Sequence, residues 1–286
     1  MPEIAFLNGE FMPLAEARVS VDDRGFQFGD GVYEVLRSYA GRLWAVERHW
    51  QRLENSLAGL NITGLDRAEV DAWVRQAFDR AGLAEAVVYV QVTRGVAPRE
   101  HAYPPGMTPT LLITVRPFQA QPLEEYEAGV AAITLPEMRW ARRDLKSINL
   151  LPNVLAKSQA QAQGASEAVF IDRDGWVTEG SSTSLFIVRD GVILTREPGP
   201  HILPGITQQL VLEIAADLGL PTARRPFTEE ELRTADEAFL TGTGTEVLAI
   251  TRLDGEVIGE GRPGPRARQL REAFLQRVAR GEDAPR

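Results

Sequence analysis

Of the 31 lysines and arginines in the chain only two are lysines, Lys146 and Lys157. A guanidinium keeps its proton in a protein, whereas an amine can lose one and act as a nucleophile. Lys146 stands in Arg142-Arg143-Asp144-Leu145-Lys146-Ser147-Ile148-Asn149, between cationic neighbours and a polar Ser-Ile-Asn, a setting that favours the free amine. Lys157 lies in residues 152–163, a run with proline at its start and Gly164 at its end, and reads as solvated helix surface.

Three further stretches could hold an anion or a ring. Pro204-Gly205-Ile206-Thr207 enters a helix whose first amides, with the Thr207 hydroxyl, suit a phosphate. Thr241-Gly242-Thr243-Gly244-Thr245 follows a strand and offers amides and hydroxyls of the same kind. Glu179-Gly180-Ser181-Ser182 ends a strand with a carboxylate beside small hydroxyl residues. Taken singly they read as a helix cap, a turn and a surface acid. No lysine follows either glycine stretch, which excludes a Walker-type nucleotide loop. Phosphate sites, an isolated lysine and a carboxylate together suggest pyridoxal phosphate. In that chemistry a lysine holds the aldehyde, a carboxylate keeps the pyridine nitrogen protonated, and a helix end takes the phosphate.

The elements that must position these groups follow from periodicity and turn residues. Residues 4–7 and 10–12 flank Asn8-Gly9 as a hairpin. Residues 22–31 are too rich in Gly and Asp for a regular element. Residues 32–39 alternate as a strand, turn at Ala40-Gly41 and return through 42–46. Two amphipathic helices come next, one presenting Trp50, Leu53, Leu57 and Leu60, the other opening at Asp66 with Glu69 and presenting Val70, Trp73, Val74 and Ala77. Strands at 87–93 and 110–115 flank the loop 94–109. An antiparallel sheet with two helices on one face accounts for this half.

Phe118-Gln119-Ala120-Gln121-Pro122 is polar and proline-bounded, which divides the chain into a domain of residues 1–118, a linker at 119–122 and a larger domain of residues 123–286. In the second, strands are expected at 129–135, 168–172, 176–178, 185–189, 192–195 and 237–240, with hairpin turns at Asp174-Gly175, Asp190-Gly191 and Asp254-Gly255. Helices are expected at 207–218, at 229–233 behind the capping box Thr228 to Glu231, and at 266–280. So many hairpins argue against a doubly wound parallel sheet; the class is α+β in two domains.

Composition narrows the partners. A net charge of −9 and a pI of about 5.1 disfavour a nucleic-acid surface. The absence of cysteine excludes disulfides, thiolate zinc sites and a Cys nucleophile. His49, His101 and His201 lack metal-ligand spacing. No run is long and apolar enough for a membrane span, and Met1-Pro2-Glu3-Ile4 does not read as a leader, so the cytoplasm is expected.

With these residues in place the chain resembles the fold-type IV pyridoxal-phosphate enzymes, the class IV aminotransferases, and among them the D-amino-acid aminotransferases, over nearly its whole length. Five blocks carry the resemblance in the family's order. They are Asp23-Arg24-Gly25-Phe26-Gln27-Phe28-Gly29-Asp30-Gly31-Val32-Tyr33-Glu34-Val35; Val92-Thr93-Arg94-Gly95 with Arg99 and His101; Asp144 to Leu151; Thr178-Glu179-Gly180-Ser181-Ser182; and Gly205-Ile206-Thr207.

The resemblance implies a cofactor between two domains, pyridoxal 5'-phosphate. Lys146 would form the Schiff base and move the proton between Cα and C4′. Glu179 would face the pyridine nitrogen, and Arg52, Ile206, Thr207 and Thr243 would surround the phosphate. Tyr33, Arg99 and His101 would take the substrate α-carboxylate. Arg139 is placed near the phenolic oxygen. Val35 and Arg37 share Tyr33's strand face by period two and could meet the side chain. The resemblance further implies a homodimer that exchanges amino groups between D-amino acids and 2-oxo acids. Within the fold, branched-chain L-aminotransferases, R-amine transaminases and aminodeoxychorismate lyases are the alternatives. Gly242 and Gly244 depart from the family pattern, which has small hydroxyl residues there.

Overall fold

The computed structural model describes residues 3–283. Met1-Pro2 of the expected N-terminal sequence and the last three residues of the second expected domain lie outside them. The described residues form two compact units, one running to Gln119 and including Leu145–Asn149 and Asp283, the other comprising Ala120–Asp144 and Leu150–Glu282.

In the first unit β1 (Ile4–Leu7) and β2 (Glu10–Pro13) meet at Asn8-Gly9, both at positive φ, as a two-residue hairpin of this hand requires. A short helix α1 (Arg24–Phe28) follows where no regular element was expected. Its flanking residues explain it: the Asp23 carboxylate accepts from the Gly25 amide, and Gly29 ends the helix in the left-handed region. β3 (Gly31–Tyr39) turns through Ala40-Gly41 into β4 (Arg42–Leu43). The return strand is shorter than the expected 42–46, because Ala45 turns to a φ of 54° and Val46 already opens the next helix.

That helix is α2 (Val46–Gly59), followed by α3 (Arg67–Ala81), capped by the Asp66 carboxylate on the Glu69 amide. β5 (Ala86–Thr93) and β6 (Thr110–Pro117) complete an antiparallel sheet ordered β2-β1-β6-β5-β3-β4. Val32, Leu36, Val88, Val90 and Ile113 from the strands pack with Trp50, Leu53, Val70 and Val74 from the helices. Each such buried side chain contributes about 1.5–3 kcal/mol.

The second unit begins with α4 (Leu123–Ala128), a helix with no expected counterpart, and β7 (Val130–Pro136). α5 (Leu151–Ala162) is the run containing Lys157. That lysine is partly exposed, as expected, but tethered: its amine donates to the Ser166 carbonyl and lies 3.7 Å from the buried Glu167 carboxylate. β8 (Glu167–Ile171) and β9 (Val177–Gly180), then β10 (Ser184–Arg189) and β11 (Val192–Thr195), form antiparallel pairs.

After α6 (Ile206–Asp217) comes β12 (Thr222–Arg224), a short strand missed in the sequence, which lies parallel to β11. α7 (Glu229–Arg233) carries the expected capping box. β13 (Glu237–Gly242), β14 (Glu246–Leu253) and β15 (Glu256–Val257) precede α8 (Pro265–Arg280). The sheet runs β12-β11-β10-β13-β14-β7-β8-β9, with β15 on β14. It is mixed, since β14–β7 and β7–β8 are also parallel. The cross-strand pair Phe186 and Phe239, with centroids 4.9 Å apart, lies in its interior. No helix among the described residues is long and apolar enough to cross a membrane.

Candidate active site

Lys146 reaches the first unit on a segment that continues its sheet. β4 covers only the far end of β3, pairing at Ser38 and Tyr39. The open edge at the start of β3 is taken by residues 146–148. The Tyr33 amide donates to the Lys146 carbonyl at 3.0 Å, Ser147 bridges to Val32, and the Ile148 amide donates to the Gly31 carbonyl at 3.0 Å. The Lys146 amide donates to Ser56 Oγ on α2, and Leu145 packs where Gly59 has no side chain. Both flanks of the lysine are thus fixed by backbone bonds. Its Nζ lies 4.2 Å from the centre of the Tyr33 ring, which brings two of the expected site residues together.

On the opposite, helix-facing side of β3 Glu34 is fully buried. Arg52 donates to both of its oxygens, Nε to Oε1 at 2.7 Å and Nη2 to Oε2 at 2.9 Å, and His49 Nδ1 lies 2.7 Å from Oε2. Burial pushes the Glu34 carboxyl up, but the charges and hydrogen bonds of Arg52 and His49 outweigh it and hold the group well below its ordinary value. Burial lowers His49, and Arg52 and Lys146 add to this against the pull of Glu34. A neutral His49 therefore donates from Nδ1, while Glu34 stays anionic against Arg52. Arg52, expected at the phosphate, has its guanidinium oriented by Glu34, a pairing that the sequence reading did not identify. His49 and Arg52 sit three apart on one helix, the only local signal that they share a target.

Tyr33, Val35 and Arg37 share the other face of β3. Tyr33 also packs on Tyr89, with centroids 5.6 Å apart. Arg37 is buried, its guanidinium 3.6 Å from the Phe118 ring centre and 4.0 Å from that of Tyr39, with Glu85 at 3.8 Å. Arg99 and His101 are exposed on loop 94–109 and both gather on Phe28 of α1, at 5.0 and 5.8 Å.

The expected acid and the expected anion cradle belong to the second unit. Glu179, at the end of β9, is 5% exposed. Arg139 Nη1 donates to its Oε1 at 2.6 Å, and the Leu203 amide reaches Oε1 and Oε2 at 3.2 and 3.1 Å. Burial raises the Glu179 carboxyl, and this exceeds the opposing effect of Arg139 and Leu203. Arg139 is shared with Glu137, bonded at 2.6 Å, which in turn accepts from the Thr178 hydroxyl. Glu137, pushed up by burial, is nonetheless lowered overall by Arg139. Arg139 is thus a partner of Glu179, away from the expected place at the phenolic oxygen, and nothing local links residues 137 and 139 to residue 179.

Gly205 caps α6 with no side-chain bond, so the first amides of the helix, at Ile206 and Thr207, are directed outward from its end. Both residues are buried. In the Gly-Thr stretch, Thr241 Oγ1 is buried without a hydrogen-bond partner, and Thr243 sits half-buried in the turn between β13 and β14. A Cβ at Gly242 would meet its neighbours at 3.5 Å or more, so glycine there is not forced by crowding. Taken unit by unit, the amine of the first and the buried carboxylate, uncapped helix amides and orphaned hydroxyl of the second are the kinds of group that a phosphorylated pyridine aldehyde needs.

An aminotransferase of class IV is what this fold and donor set define, and the chain belongs to that family: residues 31–253 match the family described as amino-transferase class IV. Among curated relatives it is 42% identical to D-alanine aminotransferase of Bacillus licheniformis over 272 residues, covering 95% of both chains. It is 41% identical to D-alanine aminotransferase of Staphylococcus aureus (strain MSSA476), covering 95% of this chain and 96% of that one. Among solved structures, a T.th. branched-chain amino acid aminotransferase with pyridoxamine 5'-phosphate matches with a TM-score of 0.90 at 30% identity, covering 100% of this chain and 96% of that one. The Escherichia coli branched-chain enzyme matches with a TM-score of 0.90 at 27% identity, covering 96% and 94%.

Proposed function

We propose that this aminotransferase moves the amino group of D-amino acids, D-alanine and D-glutamate among them, to 2-oxo acids such as 2-oxoglutarate and pyruvate, in a ping-pong cycle. The observation that carries the proposal is the 42% identity with D-alanine aminotransferase over 95% of both chains. Use of L-leucine is the rival reading, since the structural neighbours are branched-chain enzymes, at the lower identities of 27% and 30%.

Pyridoxal 5'-phosphate is the cofactor of this proposal, held by Lys146, Glu179, Arg52, Ile206, Thr207 and Thr243. When bound it supplies an aldehyde that takes the amino nitrogen and a ring that spreads the charge left at Cα. Lys146 Nζ would be the base that takes the proton from the substrate Cα. Glu179, made more basic by burial and held at Oε1 by Arg139, would keep the ring nitrogen of the cofactor protonated. Tyr33, Arg99 and His101 take the α-carboxylate with a phenol, a guanidinium fork and an imidazole. Val35 and Arg37, on the face of β3 that carries Tyr33, meet the side chain. The location of the carboxylate contacts relative to Lys146 selects which enantiomer presents its Cα–H.

A homodimer belongs to the same proposal, supported by Leu151, Val154 and Leu155, which are exposed at helical spacing on α5. So does a cytoplasmic location, where free amino acids and 2-oxo acids are both available. The test is purified protein given D-alanine or L-leucine with 2-oxoglutarate, each oxo-acid product followed separately. D-alanine should be strongly preferred; preference for L-leucine promotes the branched-chain reading. Borohydride reduction should leave a pyridoxyl label on the peptide containing Lys146, and a label on Lys157 instead would overturn the assignment. Lys146→Ala should lose about 10³-fold or more in turnover.

A further inference from the structure

The loop 94–109 that bears Arg99 and His101 is exposed at its tip, and an unrestrained loop would lose conformational freedom each time substrate bound. One side chain restrains it at the two positions that matter. Arg24, 4% exposed on α1, donates Nη1 to the Glu100 carbonyl at 2.6 Å and Nη2 to the His101 carbonyl at 3.1 Å. Its Nε is bonded to Asp30 Oδ2 at 2.8 Å.

Arg94 forks onto the same carboxylate at 2.8 and 2.9 Å and donates to the Leu60 and Asn61 carbonyls, which fixes the root of the loop. The Arg24 amide also donates to the Gly95 carbonyl, and the Ala97 amide to the Asp22 carbonyl. Phe28, four residues after Arg24 on α1, completes the arrangement. The Arg24 guanidinium lies 4.8 Å from its ring centre and that of Arg99 lies 5.0 Å from it. Two guanidinium groups on one carboxylate leave a net positive charge beside the loop, which favours an arriving anion.

We infer that Arg24 is a positioning residue for recognition of the substrate carboxylate, its fork on the Glu100 and His101 carbonyls fixing the backbone from which Arg99 and His101 reach out. The inference rests on the reading of those two residues as carboxylate contacts. It gives the block Asp23 to Asp30 a purpose other than capping a turn. Because the clasp acts on carboxylate binding alone, its loss should appear in KM and not in turnover.

Arg24→Met keeps the apolar stem over Phe28 and removes every donor. It should raise KM for D-alanine and for pyruvate by about tenfold or more, as loss of a charge-assisted fork does, with kcat within about threefold and cofactor content unchanged. Amides of loop 94–109 should exchange faster while those of β5 and β6 keep their protection. In the double variant Arg24→Met/Arg99→Ala, the losses in KM should be less than additive, since only the share acting through His101 remains; fully additive losses would overturn the inference. A fall in kcat at constant KM overturns it as well. If Arg24→Met does not fold, Arg24→Lys decides, since one ammonium cannot reproduce the fork: a raised KM supports the clasp and a parental KM sinks it. Arg99→Ala with a parental KM removes the underlying reading and this inference with it, whereas a raised KM there beside a silent Arg24→Met sinks the clasp only.

Discussion

A buried imidazole against a buried carboxylate ties folding to pH. His49 is held below its ordinary value in the folded protein, first by burial. Between that value and the unfolded one, about 6.5, the unfolded chain binds the extra proton. The contribution is therefore fully present above about pH 6.5 and is lost as the pH falls below it. His49→Asn keeps a donor toward Glu34 without titrating. Urea midpoints measured between about pH 5 and pH 8 should fall on the acid side for the parent and less for the variant. Glu179, raised by burial, contributes with the opposite sign, so the difference between the two proteins isolates the imidazole. Identical slopes in both would mean that folding leaves the titration of His49 unchanged, and a parent that gains stability on the acid side would mean that His49 is charged in the fold.

At the scale of elements, α2 has one face given to chemistry instead of core. His49, Arg52, Ser56 and Gly59 meet Glu34, Glu34, the Lys146 amide and Leu145 in turn. Gly59 is constrained by that last contact, since a Cβ there would run into the Leu145 side chain. Ala is the better helix former by up to about 1 kcal/mol, but crowding a packed site costs about 1–3 kcal/mol. Gly59→Ala should therefore lower stability modestly and reduce activity by shifting the residue next to Lys146. A denaturation cycle with Leu145→Ala should give a coupling of about 0.5 kcal/mol or more, and a coupling near zero would show that Leu145 moves aside freely.

The same contrast between local and distant signals decides what could be read from the sequence. The hairpins at Asn8-Gly9, Asp190-Gly191 and Asp254-Gly255 were legible because both central residues of each adopt positive φ, a requirement met within the dipeptide. Lys146 stood out because so few lysines accompany it. α1 was not legible, since its glycines mask caps that only the folded Asp23 side chain makes evident. Nor were Glu34 with Arg52, Glu179 with Arg139, or Arg24 with the loop carbonyls, because each joins residues distant in the sequence.

For the molecule as a whole, the exposed stripe on α5 bears on assembly. Leu151, Val154 and Leu155 are 68%, 54% and 55% exposed, and such a contiguous apolar face is a cost to a free monomer. Sedimentation should give twice the mass of one 31.5 kDa chain. Val154→Asp with Leu155→Asp should shift the protein toward the monomer at micromolar concentration, as charge at an apolar contact does. A parent that sediments as a monomer at all concentrations would sink the homodimer.

The chain passes between its two units in four places, at 119–120, 144–145, 149–150 and 282–283. This has a consequence for biosynthesis. A ribosome that has released Gln119 has delivered every helix of the first unit and every strand of its sheet, yet the edge of β3 at Gly31 to Tyr33 stays bare until residues 146–148 emerge. The Asp283 carboxylate that accepts from the Ala45 amide at 2.8 Å arrives almost last. An incomplete product therefore carries an open strand edge, the feature on which chains pair wrongly. The segment that covers this edge is the one that brings the reactive amine, so a nascent chain gains its nucleophile in the same step that closes its sheet.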